Sequence, residues 1–222
     1  MGAMPDEVEQ LCQKLRDVSV ESYGGVEYHR GFLDDKEAVV CCAGMGKANA
    51  AATTQVLITR YGAGRIIFSG IAGNMTDKIG IGDVVIGKTV VYHDAEDSMI
   101  CQSAPFLKEY PGDEAMIEAA RAACQEEGVR CLVGKIATGD TFVGDADTKK
   151  AIAAKCAPDC VEMEGAAVSQ IAAKNGVPCV VLRAMSDNAD EAGHELLVVK
   201  KFSIAEYVTT ATAIVAGMLR RL

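Results

Sequence analysis

Four acids stand where an α/β chain could use them. Glu162 and Glu164 flank Met163 in VEMEGAAVSQ (161–170), while Asp187 and Asp190 fall in MSDNAD (185–190), at the end of an apolar run. Carboxyl groups placed so can serve as general acids, as general bases, or as stabilisers of positive charge on a reacting sugar. Each also has an ordinary structural use. Acids in the first turn of a helix favour its dipole, and Ser186 or Asp187 could cap a helix. If 162–175 is mainly helical, Glu162 and Glu164 point to different faces and do not form a pair.

Other reactive side chains assemble no familiar constellation. His29, His93 and His194 are scattered and give no Ser-His-Asp or Cys-His order. Nine cysteines include the adjacent Cys41 and Cys42, and Cys156 and Cys160 flank Pro158 with no second pair or nearby histidine to complete a metal set. They read as reduced, mostly buried thiols, and metal-free, cofactor-free acid/base chemistry is expected. AGMGKANA (43–50) lacks both the Walker spacing and the third glycine of a dinucleotide loop. It reads as a tight strand-to-helix turn whose helix N-terminus could face a polar ligand. SGIAGNM (69–75) and ATGDTFVGD (137–145) read as further turns, the second offering Phe142 to a planar ligand.

The elements that must position these residues follow from periodicity. Helices are expected over 5–16, 47–62, 113–127, 146–156, 162–175 and 199–222, and strands over 37–44, 65–70, 82–94, 131–139 and 179–185. A hairpin should turn at Gly24-Gly25, with loops at GIAGN and over 94–112. Several strands are unbroken apolar runs, which implies a mostly parallel or mixed sheet covered by helices on both faces. In such sheets ligands bind beyond the carboxyl ends of strands. Gly70–Asn74, Thr138–Gly144 and Ser186–Asp190 all lie there, and so do the acids.

Composition narrows the function classes. The chain has 222 residues, half of them apolar, and a formal net charge of -9. It carries no linker or repeat, so one domain over 1–222 is expected. An acidic surface disfavours nucleic acid and anionic membranes. No apolar run is long enough to span a bilayer and no signal segment opens the chain, so a cytoplasmic location is expected.

Taken in order, GAMPDEV, SGIAGN, GDVVIG, YHDAE, ATGDTF, VEMEGAA and VPCVVLRAMSDNAD resemble the nucleoside phosphorylase/nucleosidase superfamily over almost the whole chain. Within it they are most similar to the methylthioadenosine/adenosylhomocysteine nucleosidase family. The resemblance implies a three-layer α/β sandwich with a central mixed sheet flanked by helices, and a homodimer. It implies hydrolysis of the bond between adenine and a 5'-thio-substituted ribose. By position, Asp187 would be the acid that protonates adenine N7, so it must hold a proton near neutrality. Glu164 would hold the ribose 2' and 3' hydroxyls, and Glu7 would orient the attacking water with Arg183 nearby. Phe142 would stack near the base while the Val143 backbone reads its edge. Met163, Met45 and Met4 would line the sugar and thioether region, and Ser186 would position Asp187. Glu162, Ala72 and Gly73 complete the implied binding set.

The resemblance has departures. Phe68 and Ile71 stand where related phosphorylases carry an Arg and a Ser that bind phosphate, which favours water as nucleophile. Ile71 also replaces the Ser usual in the nucleosidases. No short apolar strand precedes Gly2-Ala3-Met4. In the family, the loop corresponding to 94–112 lends residues across the dimer. A phosphate-using phosphorylase and a non-catalytic nucleoside-binding module are the alternatives.

Overall fold

The computed structural model describes residues 1–195 and 204–222. Its first helix, α1 (Pro5–Lys14), has proline at the start, Asp6 and Glu7 in the first turn, and Val8 and Leu11 on its buried face. Strands β1 (Arg16–Tyr23), β2 (Val26–Leu33) and β3 (Lys36–Cys41) form an antiparallel sheet. Its hairpin turns where expected, with Gly24 and Gly25 both at positive φ. Helix α2 (Lys47–Tyr61) follows and stops at Gly62 in the left-handed conformation.

The larger sheet is built from β4 (Ile66–Asn74), β5 (Val84–Tyr92), β6 (Glu109–Pro111), β7 (Cys131–Thr138), β8 (Cys160–Glu162) and β9 (Cys179–Asp187). Helices α3 (Asp97–Ile100), α4 (Glu114–Glu126), α5 (Ala146–Cys156), α6 (Gly165–Lys174), α7 (Glu191–His194) and α8 (Ala205–Leu219) complete the described elements. The strand order is β6-β5-β7-β8-β4-β9, and β9 also pairs back to β5. Five strands therefore close on one another, with β6 appended to β5. Pairings β4–β9, β5–β7 and β7–β8 are parallel, while β4–β8, β5–β6 and β5–β9 are antiparallel. The register slips between Gly87 and Thr89, and on its other edge β5 pairs with β9 before that point and with β6 from Thr89 on.

The sheet is mixed and has helices on both sides, as expected. Along β9, Val180, Leu182 and Ala184 pack with Met116, Ile214 and Met218 of α4 and α8. The alternate residues Val181 and Met185 belong to a second core with Phe68, Ile136 and Val168. Burial of both faces explains why these strands read as unbroken apolar runs.

Several expectations need correction. GIAGN is not a loop: β4 runs to Asn74, paired with β9 from Ile66 to Gly73. Its glycines mark close approach, since a Cβ on Gly70 would lie 2.3 Å from Arg183 Nη1 and 2.4 Å from Glu7 Oε1. Glu162 is not helical: it ends β8, and α6 begins at Gly165. The segment 94–112 holds α3 and β6. The expected strand 37–44 ends at Cys41, because the chain must turn through Gly44 and Gly46 at positive φ to start α2. Within the described residues the last helix starts at Ala205; the earlier part of the expected helix, up to residue 203, lies outside them. The opening residues span the two sheets. The Met1 ammonium donates to Ile67 O (3.0 Å), Ser69 N to Met1 O (3.1 Å), and Gly2 N to Cys41 O (3.2 Å).

Candidate active site

A cavity of about 590 Å³ opens at the carboxyl ends of β4, β8 and β9, beside the start of α1 and the loop after β7. All thirteen residues that the resemblance marks for the site line it, namely Met4, Glu7, Met45, Ala72, Gly73, Phe142, Val143, Glu162, Met163, Glu164, Arg183, Ser186 and Asp187, whereas the fourth acid, Asp190, does not. Ala3, Asp6, Ile71, Thr141, Val161 and Ile204 line it too. All but Ile204 neighbour a singled-out residue within one or two positions, which was the available signal. Ile204 follows the undescribed segment and carried none.

Glu7 sits in the first turn of α1 and is buried. Its Oε2 accepts from Ala3 N (2.7 Å) and Met4 N (3.0 Å), and its Oε1 accepts from Ile71 N (3.1 Å). Three backbone amides from two chain segments thus fix one carboxylate at the cavity wall. Ile71 contributes its backbone to this arrangement, with its carbonyl accepting from Arg183 Nη1 (3.3 Å).

Glu162 and Glu164 do converge, contrary to the helical expectation, because a strand end and a turn replace the helix there. Glu162 caps α6: its Oε2 accepts from Glu164 N (3.1 Å) and Gly165 N (2.8 Å), and its Oε1 accepts from Gly165 N (3.0 Å) and the Thr138 hydroxyl. Its Oε2 also pairs with Arg183 Nη2. Glu164 turns the other way. Its Oε1 accepts from Gly46 N (2.9 Å), just before α2, and its Oε2 lies 3.3 Å from the same Arg183 Nη2. Burial pushes the Glu164 carboxyl up to about 7; the neighbouring Glu162 and Glu7 act in the same direction, and Arg183 and the Gly46 amide oppose them. Arg183 itself is 1% exposed and stacks on Phe68, 4.4 Å from ring centre to guanidinium.

Asp187 ends β9. Its Oδ1 accepts from Ala189 N (2.7 Å) and its Oδ2 from the Ser186 hydroxyl (2.8 Å). Ser186 Oγ also lies 3.3 Å from Ala72 O, so its single hydrogen has two acceptors in reach. Glycines let the chain close around this carboxyl: a Cβ on Gly193 would sit 2.7 Å from Asp187 Cβ, and one on Gly73 3.0 Å from Oδ1. The capping role belongs to Asp190, which accepts from Gly193 N (2.9 Å) at the start of α7.

Phe142 and Val143 lie in the loop after β7. Phe142 is part-exposed, edge-on to His194 with ring centres 5.6 Å apart, and Val143 is buried. Met4, Met45 and Met163 supply polarisable apolar wall.

Fold and site together define an α/β protein built to hold a small polar ligand among buried carboxyl groups. The chain belongs to the phosphorylase superfamily, whose family model matches residues 1–220. It is 37% identical over 197 residues to the 5'-methylthioadenosine/S-adenosylhomocysteine nucleosidase of Geobacillus thermodenitrificans, covering 86% of this chain and 84% of that one. Among solved structures it is similar to the nucleosidase of the same name from Neisseria meningitidis in complex with methylthio-immucillin-A. The TM-score is 0.92 and the identity 31%, with coverage of 100% and 97%. It is also similar to the futalosine hydrolase of Helicobacter pylori, at TM-score 0.90 and 29% identity, with coverage of 100% and 96%.

Proposed function

We propose that the protein hydrolyses the N-glycosidic bond of 5'-methylthioadenosine and S-adenosylhomocysteine, releasing adenine and the thioribose. The observation that carries this reading is the meeting of Glu7, Glu164 and Asp187 at one cavity wall, from α1, the β8–α6 turn and the end of β9. Breaking the bond builds positive charge on the ribose and negative charge on the base. Asp187 gives its proton to adenine N7 as the C1'–N9 electrons move into the purine. The water oxygen bonds to C1', and Glu7 accepts the proton that water sheds. Glu164 accepts hydrogen bonds from the ribose 2' and 3' hydroxyls, and its charge stabilises the cationic sugar. Ser186 holds Asp187 in either protonation state, by donating to Oδ2 or by donating to Ala72 O while accepting from the acid. Phe142 stacks near the base, the Val143 backbone reads its edge, and the methionines take the thioether.

Water is favoured over phosphate on charge. The described cavity wall carries five carboxyl side chains, Asp6, Glu7, Glu162, Glu164 and Asp187, against one cation, Arg183. That cation is already shared by Glu162 and Glu164, so a phosphate dianion meets net repulsion. The test is adenine release from methylthioadenosine, followed by ultraviolet absorbance with and without phosphate. Release independent of phosphate is expected. A strict phosphate requirement would make the protein a phosphorylase; binding without release would make it a nucleoside-binding module.

The reading includes a homodimer. Met99, Phe106 and Leu107 leave apolar surface exposed between β5 and α4, which a second copy would cover. Sedimentation equilibrium checks it. It also includes a cytoplasmic location, in keeping with nine unbridged cysteines.

A further inference from the structure

Three charged residues from three sequence motifs have no part in the reaction above, yet they meet. Lys47 Nζ lies 2.8 and 2.7 Å from the two carboxylate oxygens of Asp94 and 3.5 Å from Asp140 Oδ2. Backbone groups join the same cluster: Lys47 N donates to Asp140 Oδ1 (2.9 Å) and Asp140 N to Asp94 Oδ2 (2.9 Å). Asp94 is itself held from behind, because Lys155 Nζ donates to His93 O (2.7 Å) and Ala95 O (2.8 Å). The His93 ring lies against the loop, where a Cβ on Gly139 would come within 2.3 Å of it.

This cluster differs from an ordinary surface ion pair, which contributes little. It ties together both lips of the cavity. Lys47 follows Met45 and Gly46 on one lip, and Asp140 precedes Thr141, Phe142 and Val143 on the other. Gly46, at φ +94, is the residue whose amide holds Glu164.

We propose that Lys47 is a positioning residue, which with Asp94 and Asp140 fixes the Gly46 amide on the Glu164 carboxylate and holds the sugar-side lip against the base-side lip. The inference rests on the reading of Glu164 as the ribose anchor. Glu164 is faced by Arg183 from β9, Glu162 from β8, Glu7 from α1 and the Gly46 amide. Only the last depends on Lys47, so loosening it removes a donor that favours the carboxylate and leaves the other three in place.

The test compares K47M with R60M, which deletes the same charge from an exposed pair, Arg60–Glu21, on the β1 side of the molecule. A hydrogen bond to a charged group is strong enough that K47M should raise KM for methylthioadenosine about tenfold at pH 7, with kcat within about twofold. The pH below which KM climbs should move upward in K47M and stay in place in R60M. D94N should reproduce both changes, and K47M combined with D94N should add little to either alone. D94N preserves the side-chain shape and carries the comparison if K47M fails to fold. A KM and pH profile in K47M and D94N equal to wild type overturns the inference. If wild type releases no adenine, the reaction reading fails instead. The inference is then read from calorimetric binding of methylthioadenosine, where equal affinity in wild type and K47M overturns it.

Discussion

Asp187 and Asp190 are three residues apart and do different work. Asp190 caps a short helix, while Asp187 is held by Ser186 and Ala189 at the cavity. With Asp187 as the general acid of the proposed reaction, a role that typically contributes on the order of 100- to 10,000-fold, D187N should lose about that much kcat and keep its melting temperature. D190A should instead cost about 1 kcal/mol of stability, with a far smaller loss of turnover. Adenine release and thermal unfolding separate the two. Glu164 gives a signed pH dependence. Its folded carboxyl titrates near 7, above the ordinary 4.5. A carboxyl raised in this way contributes stability below its unfolded value and loses it as pH rises through about 7. E164Q removes that loss, so its melting temperature relative to wild type should be higher at pH 8 than at pH 5. On the proposed reading affinity runs the opposite way: with Glu164 as the ribose anchor, its protonated form below about 7 is a poorer acceptor for the hydroxyls. KM should climb from pH 8 to pH 6 in wild type and stay flat, though high, in E164Q.

The strand β4 shows what an element contributes beyond its residues. Its glycines have no turn to make; Gly73 lets Asp187 and Ala189 lie against its backbone, and Gly70 does the same for Glu7 and Arg183. In G70A the new Cβ must displace both side chains. A shift of that kind should cost on the order of 100-fold in kcat/KM, with about 1–3 kcal/mol of stability, measured by turnover and urea unfolding. Composition alone reads GIAGN as a turn, because the glycine signal is the same for a bend and for a close contact. The long apolar strands and the helices at 47–61, 114–126 and 146–156 were legible from period and caps. Strands β6 and β8 have three residues each, too few to show any period, and so were hidden. That is why Glu162 and Glu164 were read on one helix. The two-residue spacing that separates them on a helix brings both to Arg183 around a strand-to-helix turn. The choice of candidate residues came from motif order; the contacts that hold each carboxylate are long-range and left no mark on local sequence.

At the scale of the molecule, β9 reaches both β4 and β5, so five strands form a hoop with Arg183 on one of them. Val85, opposite Arg183 in the β5–β9 pairing, is fully buried. V85A deletes two buried carbons and should cost about 1.5–3 kcal/mol, and should lower the stability of the whole hoop in one transition followed by circular dichroism. A hoop has no loose end from which to peel. Amide protons of β4, β5, β7 and β9 should therefore exchange only through global opening, while those of the loop at 139–145 exchange far sooner. Global stability thus resides in the hoop, and the rim around Met45 and Phe142 meets it through the Gly46–Glu164 contact and the Lys47 cluster. Such a molecule can be retuned for a bulkier or leaner thioether tail by changing its rim, with its thermal endurance left to the staves beneath.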